Sequence, residues 1–302
     1  MREGIYLGLK ELLKRNKNLI ILDNDVGEAT RTKKLKNEFE NRIFNLGIVE
    51  QSTFGIAAGL SKEGFKVYIV MFSIFTLRGI EIIRQCIGYP NLDVVIIGSH
   101  AGVSVGEDGP THQCIEDVAC FRSLPNFSIL SPADRNETIS VIKESFNRNH
   151  PVYIRVARQQ FGSIYESVPK FKSFSVIVDE GDDFTIIASG IEVYEALKAI
   201  EMLRKDRLKG KLINIVEIKP ISNKILDFMT ERVICVEDHN IIGGLYSGIS
   251  EILVREDMKF KILPIGICDR YGKSGNPRDV LKYFGLDYYS IYKKVKKWLK
   301  YS

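Results

Sequence analysis

Two histidines and two carboxylates fall within one short segment, GSHAGVSVGEDGPTHQ (98–113), together with four glycines and one proline. Histidine titrates near neutral pH, so His100 and His112 are candidates for moving protons. Glycines let a backbone approach a ligand closely. The segment continues the apolar run DVVIIGS (93–99). A polar loop at the C-terminal end of a parallel strand is where open α/β sheets bind ligands. Two other readings stay open at this point. One is a metal site, although the histidines are far apart in sequence and no cysteine joins them. The other is a glycine-rich turn with incidental histidines.

Glu50, in NLGIVEQ (45–51), opens a stretch of otherwise small and apolar residues, EQSTFGIAAGL. A carboxylate there is either a helix N-terminal acid, favoured by the helix dipole, or a buried acid with a task. Taken alone, the first is the simpler reading. Phe72 and Phe75, in MFSIFTLRG (71–79), follow an apolar strand and by themselves read as core packing. Asp25 follows LIILD (19–23), where an aspartate caps a helix as readily as it meets a ligand.

These residues need a scaffold, and the pattern around them supplies one. Strand-like runs LIILD (19–23), FKVYIVMF (65–72), DVVIIGS (93–99), FSILSP (127–132) and VYIRVA (152–157) alternate with helix-like stretches at 50–64, 77–89 and 133–147. Strand–helix alternation predicts a mostly parallel sheet with helices on both faces. After Arg158 the pattern loosens into a linker, QQFGSIYESVPKFKSFSVI. A second alternating block follows: DFTIIASG (183–190), EVYEALKAIEMLRK (192–205), LINIVEI (212–218), RVICVEDH (232–239), GGLYSGISEILVRE (243–256), FKILPIGI (260–267) and PRDVLKYFG (277–285). The expected fold class is α/β: two doubly wound domains, 1–165 and 178–302.

The 302 residues, 45% hydrophobic and 27% charged, are an ordinary globular mixture. A net charge of +5 spread along the chain argues against a nucleic-acid binder and allows small anionic substrates. The most basic stretch, Lys293, Lys294, Lys296, Lys297 and Lys300, is interleaved with Val295, Trp298 and Leu299. It reads as an amphipathic helix with a solvated face. Five scattered cysteines without a CxxC pair fit a reducing cytoplasm. MREGIYLGLKELLKR lacks the apolar core and cleavage site of a secretory signal, and no apolar run approaches membrane-spanning length.

Taken together and in order, FNLGIVEQ, FSIFTLR, SHAGVSVGEDGPTHQ, FRSLPNFSILSPADRNE and RVARQ resemble the pyrimidine-binding half of transketolases. The resemblance runs from about Arg2 to the C-terminus. It implies a thiamine diphosphate-binding pyrimidine domain followed by a transketolase C-terminal domain. By that likeness Glu50 would hydrogen-bond ring nitrogen N1′ of the cofactor's aminopyrimidine and favour the 4′-imino tautomer that deprotonates thiazolium C2. Such a carboxyl needs a dry pocket, because water competes for the bond. Phe72 and Phe75 would pack on the pyrimidine ring, with Arg78 at the pocket's third position and Asp25 near the cofactor at the subunit boundary. His100 and Asp108 would bind donor hydroxyls, and His112 the carbonyl oxygen. Arg2 and Arg158 would clamp a substrate phosphate.

The family's phosphate clamp usually includes a serine, which is Ala29 here, and the third pyrimidine-pocket residue is often tyrosine. Arg78 leans instead toward deoxyxylulose-phosphate synthases. The family's GDG…N segment, which holds Mg²⁺ and the diphosphate, has no counterpart: GDD (181–183) stands at the start of the second block. The resemblance therefore implies half of a split transketolase, with Met1-REGIYLGL as the start of the second polypeptide. The expected partner is an N-terminal subunit carrying GDG…N and the Mg²⁺, in an α₂β₂ assembly. The expected activity is transfer of a two-carbon ketol unit between sugars or sugar phosphates. A deoxyxylulose-phosphate synthase-like or 2-oxo-acid-decarboxylating subunit, and a non-catalytic scaffold, remain as alternatives. GGLYSG reads as a strand-to-helix turn rather than a phosphate loop, Glu237 and His239 as structural, and His150 as a loop residue.

Overall fold

In the computed structural model, which describes residues 1–301, the apolar runs become strands, and the central ones are buried on both faces. The first half supplies β1 (Leu19–Asp23), β2 (Ile43–Asn45), β3 (Lys66–Phe72), β4 (Val94–Ala101), β5 (Ser128–Leu130) and β6 (Val152–Ala157). The second half supplies β7 (Phe174–Asp179), β8 (Thr185–Ala188), β9 (Lys211–Ile215), β10 (Glu217–Lys219), β11 (Arg232–Asn240) and β12 (Lys261–Ile267). A seven-stranded sheet has the order β10-β5-β6-β4-β3-β1-β2, and a five-stranded sheet the order β12-β11-β8-β9-β7. Pairing is parallel except for β10 on β5 and β7 on β9. The α/β fold with two mostly parallel sheets is as the sequence pattern predicts.

Alternate residues of one strand feed opposite cores. Tyr68 and Val70 pack with Ile5, Leu9, Val141 and Ile142, whereas Val67, Ile69 and Met71 pack with Phe54, Ala57, Ile83 and Phe121. The first core is closed by the helices Arg2–Arg15 and Arg135–Phe146. These two helices cross closely: a Cβ at Gly4 would stand 2.6 Å from Arg135 O, and one at Gly8 would stand 3.0 Å from Ile142 Cβ. That crossing sets where Arg2, at the helix start, can reach.

Three stretches differ from the sequence reading. The loosened stretch after Arg158 contains β7, a half-buried edge strand, whose partial exposure weakens the apolar signal. The run LINIVEI, read as one strand, is divided between sheets: β9 stays in the second, and β10 becomes the antiparallel edge of the first. The changeover is at Val216, whose amide bonds Ser173 O while its carbonyl accepts from the Ser131 amide at 2.7 Å. Buried Asn214, just before it, donates to the Glu137 carboxylate of the first half. The stretch 77–89, read as one helix, winds unevenly, as a 3₁₀ turn at Leu77–Gly79, a short α turn at Ile80–Ile82 and a π turn at Ile83–Gly88. Gly79 there lies against the Phe54 ring. The C-terminal basic stretch forms the helix Tyr288–Tyr301, with Ile291 and Val295 buried. No helix among the described residues is long and apolar enough to cross a membrane.

A buried ion pair ties the sheets together. Arg155 of β6 donates through Nε to Asp117 at 3.0 Å and 3.1 Å, and through Nη2 to Asp238 O of β11 at 2.7 Å. Tyr153 donates to the same Asp117 at 2.8 Å. Burial alone would lower the Arg155 pKa, but the Asp117 and Asp238 carboxylates raise it above the usual arginine value. Removing one member of such a pair strands the other charge. Asp117→Ala is expected to cost about 3–5 kcal/mol, read as a lowered urea midpoint. Adding Arg155→Met to the same protein should recover part of that loss.

Candidate functional site

The loop singled out in the sequence leaves the C-terminal end of β4, a central strand of the first sheet. His100 lies at its root with φ of 58°, a left-handed conformation uncommon for a side-chain-bearing residue. The Phe72 ring at the end of β3 stacks on the His100 ring at 3.8 Å between centroids. Phe75 stacks on Phe72 at 5.3 Å, and His112 meets both phenyl rings edge-on at 6.3 Å and 5.9 Å. Four residues from two separate segments therefore share one aromatic cluster.

Ser99, which the sequence reading passed over, fixes the His100 tautomer. Its Oγ lies 3.2 Å from Met71 O and 3.0 Å from His100 Nδ1. A carbonyl only accepts, so the hydroxyl donates there and accepts from Nδ1–H. That leaves the His100 Nε2 lone pair free. Burial pushes the His100 pKa down to about 3, helped by the nearby charges of Arg2, Arg158 and His112. The imidazole is neutral at physiological pH.

Glu50 is the first residue of the helix Glu50–Lys62 and its side chain is only 7% exposed. It does not cap the helix: Val49 is the N-cap and no side chain bonds there. The carboxylate has no side-chain hydrogen bond among the described residues, and its nearest cation is Arg78 Nη1 at 3.9 Å, on a side chain 65% exposed. Gln51 donates to Arg78 O at 3.0 Å, holding the first turn of the helix against the segment that follows Phe75. Buried Asn24 braces the same turn by donating to Thr53 Oγ1 at 2.8 Å and Gly47 O at 3.1 Å. Neither brace has a motif signature. A polar residue next to Asp25 was the only signal available.

The two arginines come together. Arg2 donates to Ala29 O at 3.1 Å, and its pKa is lowered by burial and by the charges of Arg158 and Arg31. Arg158 donates to Val105 O at 2.5 Å and to Asp108 at 3.3 Å, with Glu107 at 3.7 Å. Asp25 caps no helix. Its backbone is left-handed at φ 61°, its amide bonds Asn45 Oδ1, and its carboxylate accepts from Asn45 Nδ2 at 3.1 Å. It lines a cavity of about 220 Å³ with Asp23, Thr32, Lys33, Lys36 and Asn45.

The residues read as structural do structural work. Glu237 accepts the amides of Leu245 and Tyr246 at 2.6 Å and 2.9 Å, so the turn at Gly243–Gly244 spends its helix N-terminus on a buried carboxylate. Burial pushes the Glu237 pKa up to about 7. His150 bonds Ser128 Oγ at 2.8 Å. Among the described residues no group of three or more His, Cys, Asp or Glu is placed to hold a metal ion.

The donor set suits a flat heteroaromatic ring with a basic nitrogen: an unbonded buried carboxylate, two stacked phenyl rings and a neutral histidine. The family pattern "Transketolase, pyrimidine binding domain" matches residues 1–163, and "Transketolase, C-terminal domain" matches residues 175–291. A Methanocaldococcus jannaschii chain described as a transketolase C-terminal section is 40% identical over 305 residues, covering 99% of this chain and 96% of that one. One subunit of the apulose-4-phosphate transketolase of Phocaeicola vulgatus is 30% identical over 302 residues, covering 97% and 95%. A solved structure described as "Split gene transketolase, inactive beta4 tetramer" superposes with a TM-score of 0.90 at 34% identity, covering 99% and 98%.

The buried neutral His100 has a pH signature. In the unfolded chain it takes a proton below pH 6.5, whereas the folded chain refuses one until about pH 3. The unfolded state then binds more protons, so this contribution to stability is full above pH 6.5 and lost as pH falls. Relative to His100→Asn, the wild type should lose about 1.4 kcal/mol per pH unit between about pH 6 and pH 4.5. Paired urea titrations measure the difference, in which the other titrating groups cancel.

Proposed function

Because the chain belongs to the transketolase family, we propose that it is the pyrimidine-binding subunit of a split transketolase. It would transfer a two-carbon ketol unit from a ketose or ketose phosphate to an aldose or aldose phosphate. The observation that carries this reading is the Glu50 carboxylate, buried and without a hydrogen bond, beside the segment that bears Phe72 and Phe75. The family is thiamine diphosphate-dependent, and that cofactor supplies, when bound, the thiazolium carbon that attacks the ketose carbonyl.

The chain's own residues have separable tasks. Glu50 would hold a proton at the pyrimidine N1′ nitrogen, a bond that water would weaken if the pocket were open. Phe72 and Phe75 would offer their faces to the ring, and Arg78 and Asp25 would border it. His100, fixed in its Nδ1–H tautomer, presents a lone pair to a donor hydroxyl, and Asp108 would take a second. His112 would donate to the carbonyl oxygen as the C–C bond breaks. Arg2 and Arg158 repel each other as they stand, so a phosphate dianion between them would relieve that repulsion. Arg158 would exchange its contact with Asp108 for the phosphate.

Diphosphate and Mg²⁺ binding is assigned to a partner, an N-terminal transketolase subunit with the GDG…N motif, in an α₂β₂ assembly. Phe44, Ile48 and Val49, in the segment leading into the Glu50 helix, and Ile56 within that helix are exposed apolar side chains, as expected of a site completed by another chain. The description of a solved relative as an inactive β₄ tetramer agrees with a chain that needs a companion. The five free cysteines of the present chain suit a reducing cytoplasm. Arg78 beside Glu50 favours a deoxyxylulose-phosphate synthase-like reaction instead.

With the partner present, Glu50→Gln should lower ketol transfer from xylulose 5-phosphate to ribose 5-phosphate by about 10²-fold or more. Unchanged turnover would leave only a scaffolding role. Replacing the ketose donor with pyruvate, and analysing products, separates transketolase from the synthase-like chemistry. Calorimetry with thiamine diphosphate and Mg²⁺ should show saturable binding to the pair and none to this chain alone.

A further inference from the structure

The loop that carries His100, Asp108 and His112 is cast against the second sheet. The Val103 amide donates to Asp238 Oδ1 of β11 at 2.9 Å, and the Ser104 amide also stabilises that carboxylate. Gly102, at φ +76°, lies so close that a Cβ would stand 1.9 Å from Asp238 Oδ2. Farther along, Gln113 donates to Val103 O at 3.1 Å and to Lys273 O at 2.8 Å. The Gly275 amide meets Gly106 O at 3.4 Å. The loop is thus held at its root, middle and end by residues more than 100 positions away in sequence.

Asp238 is a costly way to make this contact. It is buried, and its Oδ2 has no hydrogen-bond partner, an arrangement that costs stability. Its main chain is fixed from the other side, because Arg155 of β6 donates to Asp238 O at 2.7 Å. A carboxylate whose backbone is anchored to the first sheet, and whose side chain grips the loop two residues past His100's neighbour Ala101, sets the position of the loop relative to β4.

We propose that Asp238 is a positioning residue for the donor-binding loop, holding the Gly102–Val103 turn so that His100, Asp108 and His112 face one bound sugar. This rests on the ketol-transfer reading of the site. Asp238 touches neither sugar nor cofactor and acts through the loop. The second sheet is then part of how the donor is recognised, and not only a surface for assembly.

The test compares Asp238→Ala with Asp238→Asn in the complete pair. Alanine removes the acceptor for the Val103 amide, whereas asparagine keeps one of nearly the same shape. Asp238→Ala should raise the donor KM about tenfold or more, since small misplacements of binding groups are costly. Acceptor KM and thiamine diphosphate affinity should stay unchanged, and Asp238→Asn should recover the donor KM. Hydrogen exchange needs no activity: in Asp238→Ala, amides of 102–113 should exchange faster while those of the helix Glu50–Lys62 do not. Unchanged exchange in the loop overturns the proposal, as does an unchanged donor KM in an active pair. A wild-type pair that assembles and binds cofactor but transfers nothing overturns the functional reading instead, and the positioning role falls with it.

Discussion

A carboxylate on a nearly buried side chain is either engaged by donors or cations of its own chain or left available to a ligand. Glu50 has none at close range: its nearest cation is an exposed arginine at 3.9 Å. The surroundings of Glu50 make that situation persist. The helix behind it buries Thr53, Phe54, Ala57 and Ala58, Asn24 and Gln51 lock its first turn, and Phe54 presses on Gly79. The main chain that carries the carboxylate is thus fixed at the start of the helix, as the proposed contact with a ring nitrogen requires.

The second constraint is that a polar loop cannot organise itself. Segment 98–113 is rich in glycine, and a glycine-rich chain loses much conformational freedom on ordering. It is held instead by Asp238 of β11 and Lys273 O as acceptors and by the Gly275 amide as a donor, and the Asp238 main chain is fixed in turn by Arg155, which is paired with Asp117. The arrangement couples the two sheets. Buried ionic groups of this kind add little net stability, and what they supply is a fixed geometry.

Much of this was legible in the chain itself. Both faces of β3 and β4 are buried, which is why their sequences are continuous apolar runs and why they read as strands of a covered parallel sheet. His100 and His112 could be singled out by residue type, because two imidazoles among glycines and carboxylates are unusual in a simple core, whereas Phe72 and Phe75 read as core packing until the resemblance gave them a role. Edge strands were the hard cases. β7 is only half buried, and β10 is three residues of a run whose first part belongs to the other sheet.

The α/β class, the covered strands, the loop and the residues able to do chemistry there were readable along the chain, because local periodicity and residue type depend only on near neighbours. The tertiary structure alone decided that Glu50 is buried rather than capping, that Ser99 fixes the His100 tautomer, and that Asp238 reaches Val103 across 135 positions. Those are contacts between distant segments, set by how two sheets dock, and no spacing rule along a chain encodes them.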